Sequence, residues 1–458
     1  MRMYHAGHIK NWSGIRFSPK SNIPSFPRKR HDIFGRKPNI LALMSNSVTI
    51  IAMTTLSIPQ GYRFAGVHCG LKSDPSLLDL TLVVSDRPAT AAGVYTQNLV
   101  CGAAVEVDRP RTPGTGFKAL VANSRIANDC TGEQGVRDAY EMTELAAHYA
   151  GAESDKALVM STGVIGLMLP MDKVRAGIAE AAKQLASDEE SFMRAARGIM
   201  TTDTVEKVAS RQMTFQNGET VALAGFAKGA AMIAPNMRTM LAMIMTDAAL
   251  EPGMAQKFLS EAVEDSFNCI SIDGHTSPSD TVLLYANGAA SVSARAADAS
   301  PPVGNDLTKF SEALRSLCVE LAVKMPSDGE GVSHLITIDV QGCKTRDDAK
   351  KFARQVAEDV LVKTAICGAD PNWGRIISAV GNAGIPFDIK GVSLKINGSA
   401  LFQKGEPVPF DKSAVSDSIR GQKDTHFLLT FKEGDADIRF WTTDLTVEYV
   451  RLNSDYTT

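Results

Sequence analysis

The chain has 458 residues, 44% hydrophobic and 22% charged, so it can bury a sizeable core and form two or three structural units. Its longest apolar runs, such as Met240 to Met245 and Asn39 to Met44, are far too short to cross a bilayer. The formal net charge of −3 is unevenly spread: residues 1–55 carry nine Lys or Arg against the single acid Asp32, a balance of +8 that leaves −11 for residues 56–458, and so acidic a body argues against nucleic-acid binding, which needs a basic face to displace counterions.

Residues 1–52 are basic, rich in Pro, Ser and Asn, and lack helical or strand periodicity until the short run before Met53. Three explanations compete: a targeting peptide, a disordered arm, or a start assigned too far upstream, with Met44 or Met53 the true first residue. The last is favoured, because the segment has neither the long apolar stretch of a secretory signal nor a clear Arg-rich amphipathic helix. Organelle targeting stays open for a eukaryotic source.

From Met53 onward, short strand-like runs alternate with longer helical patterns, which predicts an α/β body. Strands are predicted at Leu80 to Val84, Ala119 to Ala122, Ala157 to Met160, Leu335 to Val340, Ser393 to Ile396 and Phe427 to Phe431, and a further strand-like run covers Leu445 to Val450. Between them, Val174, Ile178, Ala182 and Leu185 share one helical face, as do Phe310, Leu314, Leu317 and Leu321, and again Phe352, Val356 and Val360. Segments 109–116, 299–306 and 403–413 read as loops. The seven cysteines are widely spaced with no C-x-x-C pair, a pattern of free thiols in a reducing compartment rather than of zinc ligands.

The most informative stretch runs from Lys228 to Asp247, where a Gly- and Pro-containing turn leads straight into an apolar run with Thr239 at its head. A hydroxyl at the first position of a buried strand is where an N-terminal nucleophile would sit. Threonine needs a base, and its own α-amino group, with a pKa of about 7.7 to 8.0, can serve once the preceding peptide bond is cut. Taken alone, a β-branched residue opening a strand explains Thr239 equally simply. Ser161-Thr162-Gly163-Val164 after an apolar strand can offer two backbone N–H groups to an oxyanion, or be an ordinary turn. Lys228 can hold a substrate carboxylate, or be a solvated lysine.

These motifs, with Gly66-Val-His-Cys-Gly-Leu-Lys72, Asn123-Ser124, Met200-Thr-Thr-Asp-Thr204, Asp273-Gly274, Asp328-Gly-Glu-Gly331, Asp370-Pro-Asn-Trp-Gly-Arg-Ile376 and Tyr456-Thr-Thr458, occur in an order that resembles the ornithine acetyltransferase (glutamate N-acetyltransferase) family of the arginine pathway, from about Met53 to the last residue. The resemblance implies an N-terminal-nucleophile-type enzyme with an α/β sandwich of paired sheets flanked by helices. It implies self-cleavage between Arg238 and Thr239 into an alpha chain, residues 53–238, and a beta chain, residues 239–458, that stay associated as a heterotetramer of two alpha and two beta chains. Thr239 would be the nucleophile, Thr162 and Gly163 the oxyanion holders, and Thr202, Lys228, Glu330, Asn453 and Thr458 substrate contacts together with Thr239. The substrates would be N2-acetylornithine and glutamate, with acetyl-CoA as a further donor in bifunctional members, in the cytoplasm and with no metal or bound cofactor.

The chain departs from the family pattern where Arg238 stands for the usual alanine, where Arg125-Ile126 replaces Gly-Asn, and at His275 with Pro278-Ser279. These changes bear on substrate preference more than on fold. Two other classes fit the residues: an N-terminal threonine amidase or aminopeptidase that gives its acyl group to water, and an uncleaved, inactive homologue.

Overall fold

A computed structural model of the protein describes residues 56–233, 240–290 and 301–455. Thr239, Arg238, Thr458 and the basic segment 1–52 lie outside these residues. The first half of the chain comprises β1 (Tyr62–Val67), β2 (Leu80–Tyr95), α1 (Ala103–Asp108), β3 (Gly114–Asn123), α2 (Gly132–Tyr149), β4 (Ala157–Ser161), α3 (Met171–Lys183), α4 (Glu189–Gly198), β5 (Lys207–Thr214) and β6 (Thr220–Lys228). The second comprises β7 (Leu241–Thr246), α5 (Pro252–Glu264), β8 (Thr281–Ala286), α6 (Asn305–Ser327), β9 (Leu335–Cys343), α7 (Arg346–Glu358), α8 (Val360–Cys367), α9 (Trp373–Gly381), β10 (Ser393–Ile396), β11 (Ser399–Gln403), β12 (Glu406–Pro407), α10 (Lys412–Arg420), β13 (Asp424–Thr430), β14 (Ala436–Thr443) and α11 (Val447–Asp455).

An eight-stranded sheet runs β4-β3-β2-β8-β7-β6-β5, with β1 also on β2. The first half of β2 pairs with β1 and β3, then its register shifts twice between Val84 and Ala91, and its second half pairs with β8. Such bulges bend a strand, and here the bend turns one sheet into two facing layers. Phe64, Leu120 and Met160 of one layer share a core with Phe226, Met243 and Leu283 of the other, and Phe192 of α4 makes edge contacts with both Phe64 and Phe226. Helices α2 and α3 cover the outside of the first layer, α5 and α6 that of the second. The predicted sandwich of paired sheets flanked by helices is therefore present, as one folded sheet.

Strand β7 shows why its run is apolar at every position. Leu241, Met243 and Met245 point into the inner core, Ala242 and Ile244 into the helix-covered one, so neither face meets water. A second sheet of six strands, β12-β11-β10-β13-β9-β14, continues the outer core beyond α6, with α7 and α9 packed on it. No helix among the described residues is long and apolar enough to cross a membrane.

Several predicted elements need correction. Strand β7 runs from Leu241, with Met240 before it donating its N–H to the Asp280 carboxylate at 2.5 Å; the expected first strand position, Thr239, lies outside the described residues. Val360 does not continue the Phe352–Val356 face: Asp359 accepts the Val362 N–H at 2.9 Å, caps a new helix, and leaves Val360 58% exposed. Helix α3 stops at Lys183, so Leu185 lies past its end, yet Ala182 and Leu185 still pack, half-buried, on the core of Val174 and Ile178 as the predicted shared face requires. Leu445 to Val450 is no strand; Thr446 Oγ1 accepts the Tyr449 N–H at 3.0 Å and starts α11, the bond expected of an N-cap. The loop segments also hold structure: β3 starts at Gly114, α6 at Asn305, and α10 at Lys412 after the short β12.

Candidate active site

The oxyanion candidates lie just beyond β4. The Thr162 N–H donates to the Asn123 carbonyl at 3.1 Å and the Val164 N–H to that of Arg125 at 2.9 Å, which clasps this loop to the one after β3. Gly163, at φ +132°, sits so close that a Cβ there would lie 2.1 Å from the Arg125 carbonyl carbon. Only glycine fits. Of the two backbone N–H groups this stretch could offer an oxyanion, that of Thr162 is spent on the clasp, so Thr162 has its hydroxyl to offer. The Gly163 amide reaches no backbone carbonyl among the described residues, which leaves it a donor for a ligand.

That hydroxyl accepts a hydrogen bond from Lys228 Nζ at 3.2 Å. Lys228 ends β6 and is 3% exposed, so it is no solvated lysine. Burial pushes its ammonium below the ordinary lysine range, opposed by the carboxylates of Asp203, Asp280 and Glu330 and reinforced by the Lys207 charge. Asp203 is the anchor of this corner: its Oδ1 takes the Gly229 N–H and the Lys207 ammonium, both at 2.7 Å. Burial alone would raise the Asp203 carboxyl, but Lys207 and Lys228 hold it below the usual carboxylate range. Lys207 also reaches Asp328 at 2.6 Å, and the amide of Thr204 donates to the same carboxylate at 3.0 Å. This network fixes the turn that carries Thr202. Asp203 and Asp328 lay inside quoted motifs, but nothing in the sequence around Lys207 singles out a fully buried lysine.

The opposite wall comes from the C-terminal part of the chain. Glu330 Oε2 accepts from Asn453 Nδ2 of α11 at 2.9 Å, while its buried Oε1 has no partner among the described residues. A buried carboxylate oxygen without a donor marks a place for a ligand group that supplies one. Helix α11 is also tied down by Tyr449, whose hydroxyl donates to Asp273 Oδ2 at 3.2 Å. The same carboxylate receives the N–H groups of Met232 and Ile233, just before the segment leading to Thr239. Tyr449 carried no sequence signal, because the run around it read as a strand.

Asp129 lines the cavity as well. It is 1% exposed, its Oδ2 takes the Ser279 hydroxyl at 2.6 Å, and its Oδ1 has no partner among the described residues. Burial pushes its carboxyl up to about 6, against the Ser279 hydrogen bond.

Thr162, Gly163, Thr202, Lys228, Glu330 and Asn453, far apart in sequence, line one cavity of about 470 Å³. Thr239, Arg238 and Thr458 lie outside the described residues. The arrangement offers a buried ammonium, a hydroxyl, an unspent amide and a carboxylate with a free oxygen. That set suits a small zwitterionic amino acid carrying a carbonyl to be attacked.

The model of the ArgJ family matches residues 63–458. The arginine biosynthesis bifunctional protein ArgJ of Rhodopirellula baltica is 43% identical over 405 residues, covering 88% of this chain and 97% of its own. That of Bacillus subtilis is 41% identical over 404 residues, with 88% and 96% covered. Among solved structures, ornithine acetyltransferase from Mycobacterium tuberculosis complexed with ornithine aligns at 36% identity over 40% of this chain and 95% of that one, with a TM-score of 0.37.

Proposed function

The chain belongs to the ArgJ family, and from that premise we propose that it moves the acetyl group of N2-acetylornithine to glutamate in arginine biosynthesis, giving ornithine and N-acetylglutamate. The observation that carries this reading is the gathering of Thr162, Gly163, Thr202, Lys228, Glu330 and Asn453 around one cavity, with Lys228 paired to Leu241 at the start of β7.

The protein matures by attack of Thr239 Oγ on the Arg238 carbonyl. The C–N bond of that peptide breaks, which frees the α-amine of Thr239 and leaves an ester on its Oγ; water then hydrolyses the ester and releases the carboxylate of Arg238 and the hydroxyl of Thr239. In turnover that amine takes the Thr239 hydroxyl proton while Oγ attacks the acetyl carbonyl of N2-acetylornithine. The Thr162 hydroxyl and the Gly163 amide stabilise the oxyanion, and Lys228 adds positive charge behind Thr162. Ornithine leaves with a proton returned to its amine. Glutamate then takes the acetyl group through its own amine. Thr202, Lys228, Asn453 and Thr458 hold the amino-acid frame, and Glu330 faces the side-chain ammonium of ornithine.

The name of the relatives, a bifunctional protein, supports a second activity in which acetyl-CoA acetylates glutamate directly. The enzyme uses no metal or resident cofactor, works in the cytoplasm and assembles as two alpha and two beta chains.

Intact-mass measurement with N-terminal sequencing tests maturation: fragments should begin at Thr239, and Thr239→Ala should give one uncut chain without transfer activity. Supplying N-acetylornithine and glutamate together tests the chemistry. Ornithine and N-acetylglutamate in equal amounts are expected, whereas free acetate without N-acetylglutamate would identify an amidase and overturn the transferase.

A further inference from the structure

The walls of the cavity come from both sides of the proposed scission. Thr202 and Lys228 precede it and would belong to the alpha chain, whereas Glu330 follows it and would belong to the beta chain. A site that grips one amino acid from both walls needs their separation held closely, because a misplacement of about 1 Å can cost on the order of a hundredfold in rate. After the cut, no peptide bond would join the walls.

Lys207 stands where they meet. It opens β5, pairs in the ladder with Ala227 next to Lys228, and its side chain is wholly buried. Its ammonium donates to Asp203, the neighbour of Thr202, at 2.7 Å and to Asp328, at the head of the turn that carries Glu330, at 2.6 Å. Both carboxylates reach further. Asp203 takes the Gly229 N–H, directly after Lys228, at 2.7 Å, and Asp328 takes the Thr204 N–H at 3.0 Å. The ring closes through the backbone, where the Glu330 N–H donates to the Ala230 carbonyl at 2.9 Å. Bonds of this kind, with both partners ionised, are short and directional. A buried ion pair adds little stability over apolar packing of the same volume, so stability does not account for three charges gathered here.

We propose that Lys207 is a positioning residue that holds Thr202 and Lys228 of the alpha chain in register with Glu330 of the beta chain, and so sets the length of amino acid the cavity accepts. The proposal rests on the transferase reading above. Lys207 does not line the cavity; it acts through Asp203 and Asp328.

The test uses the mature enzyme carrying Lys207→Met, which keeps the reach of the side chain without its charge, Asp328→Asn, which leaves one acceptor oxygen on the Glu330 side, and the two together. KM and kcat are measured with glutamate as acceptor and with N2-acetylornithine or N2-acetyllysine, one methylene longer, as donor. In each single variant the KM for N2-acetylornithine should rise by on the order of tenfold to a hundredfold with a smaller fall in kcat. The preference for N2-acetylornithine over N2-acetyllysine should narrow several-fold. The double variant should be little worse than Lys207→Met, because both changes break the same link. A lower kcat with unchanged KM and unchanged preference, the mark of fewer folded molecules, would overturn the role of Lys207, as would losses that multiply in the double variant. If Lys207→Met yields no folded protein, Asp328→Asn decides by the same KM and the same preference. A parent enzyme that releases no ornithine from N2-acetylornithine defeats the transferase reading itself, whereas a parent that transfers normally beside variants that match it defeats only the role of Lys207.

Discussion

Asp129 is the residue whose environment makes the sharpest physical demand. A carboxyl whose pKa is about 6 in the fold and about 3.9 in the unfolded chain takes up a proton on folding between those values. The folded state then binds more protons than the unfolded one, so this group's contribution is fully present below pH 4. It is lost as the pH rises toward 6 and stays lost above it. The difference corresponds to about 3 kcal/mol. Asp129→Asn should remove this slope while leaving an acceptor for the Ser279 hydroxyl. Urea unfolding at pH 4.5 and pH 7, in the uncut Thr239→Ala background, checks it; parallel pH dependence in the two proteins would refute the assignment. Asp129 carries no sequence signal of its own, and its burial against Ser279, 150 positions away, is a tertiary fact that no local pattern encodes. Lys207 is the same case. Gly163 was more legible, because a Thr-Gly pair after an apolar strand already suggests close backbone approach.

At the level of elements, α11 carries the clearest consequence. None of its residues is buried, so packing does little to hold it, and its position depends on a few polar ties. These are the Thr446 hydroxyl to the Gly331 carbonyl at 2.7 Å, Tyr449 to Asp273, and Asn453 to Glu330. Burial and the neighbouring Asp273 push the Tyr449 phenol above its ordinary range, so it remains a proton donor at any working pH. Tyr449→Phe should therefore loosen α11 by about 1 kcal/mol. Amide exchange across Val447–Asp455 should quicken, and KM should rise several-fold with little change in kcat, since Asn453 rides on the same helix. Unchanged exchange would show that the tie is dispensable. The element errors share a cause. Val360 and the Leu445–Val450 run were assigned by apolar periodicity, but side-chain caps from Asp359 and Thr446 set the boundaries there. Where the core alone decides, as at Ser393–Ile396 or along the Phe310–Leu321 face, pattern and structure coincide.

For the whole molecule, the alternation of strands and helices was enough to give an α/β body. It did not reveal that β2 serves both layers, because a bulge at Ala89 looks like any other break in a strand. The proposed scission falls in the connection between β6 and β7, which pair antiparallel from Leu223–Thr246 to Lys228–Leu241. Cutting there leaves every pair of this ladder between described residues in place. The beta chain's β7 and β8 would remain stitched between the alpha chain's β6 and β2, and the shared core around Phe226, Met243 and Leu283 would belong to both products.

That shared sheet changes the molecularity of denaturation. Once severed, the two pieces meet again only by collision, so the midpoint of heat unfolding, where reversible, should climb with protein concentration, while Thr239→Ala, still one strand of covalent chain, should show far less of that dependence. Dilution-series calorimetry on both forms reads this directly; matching slopes would mean that the ends never come apart. Processing thus trades a chain that can find its own fold again for one whose halves, if ever separated, must rely on encounter.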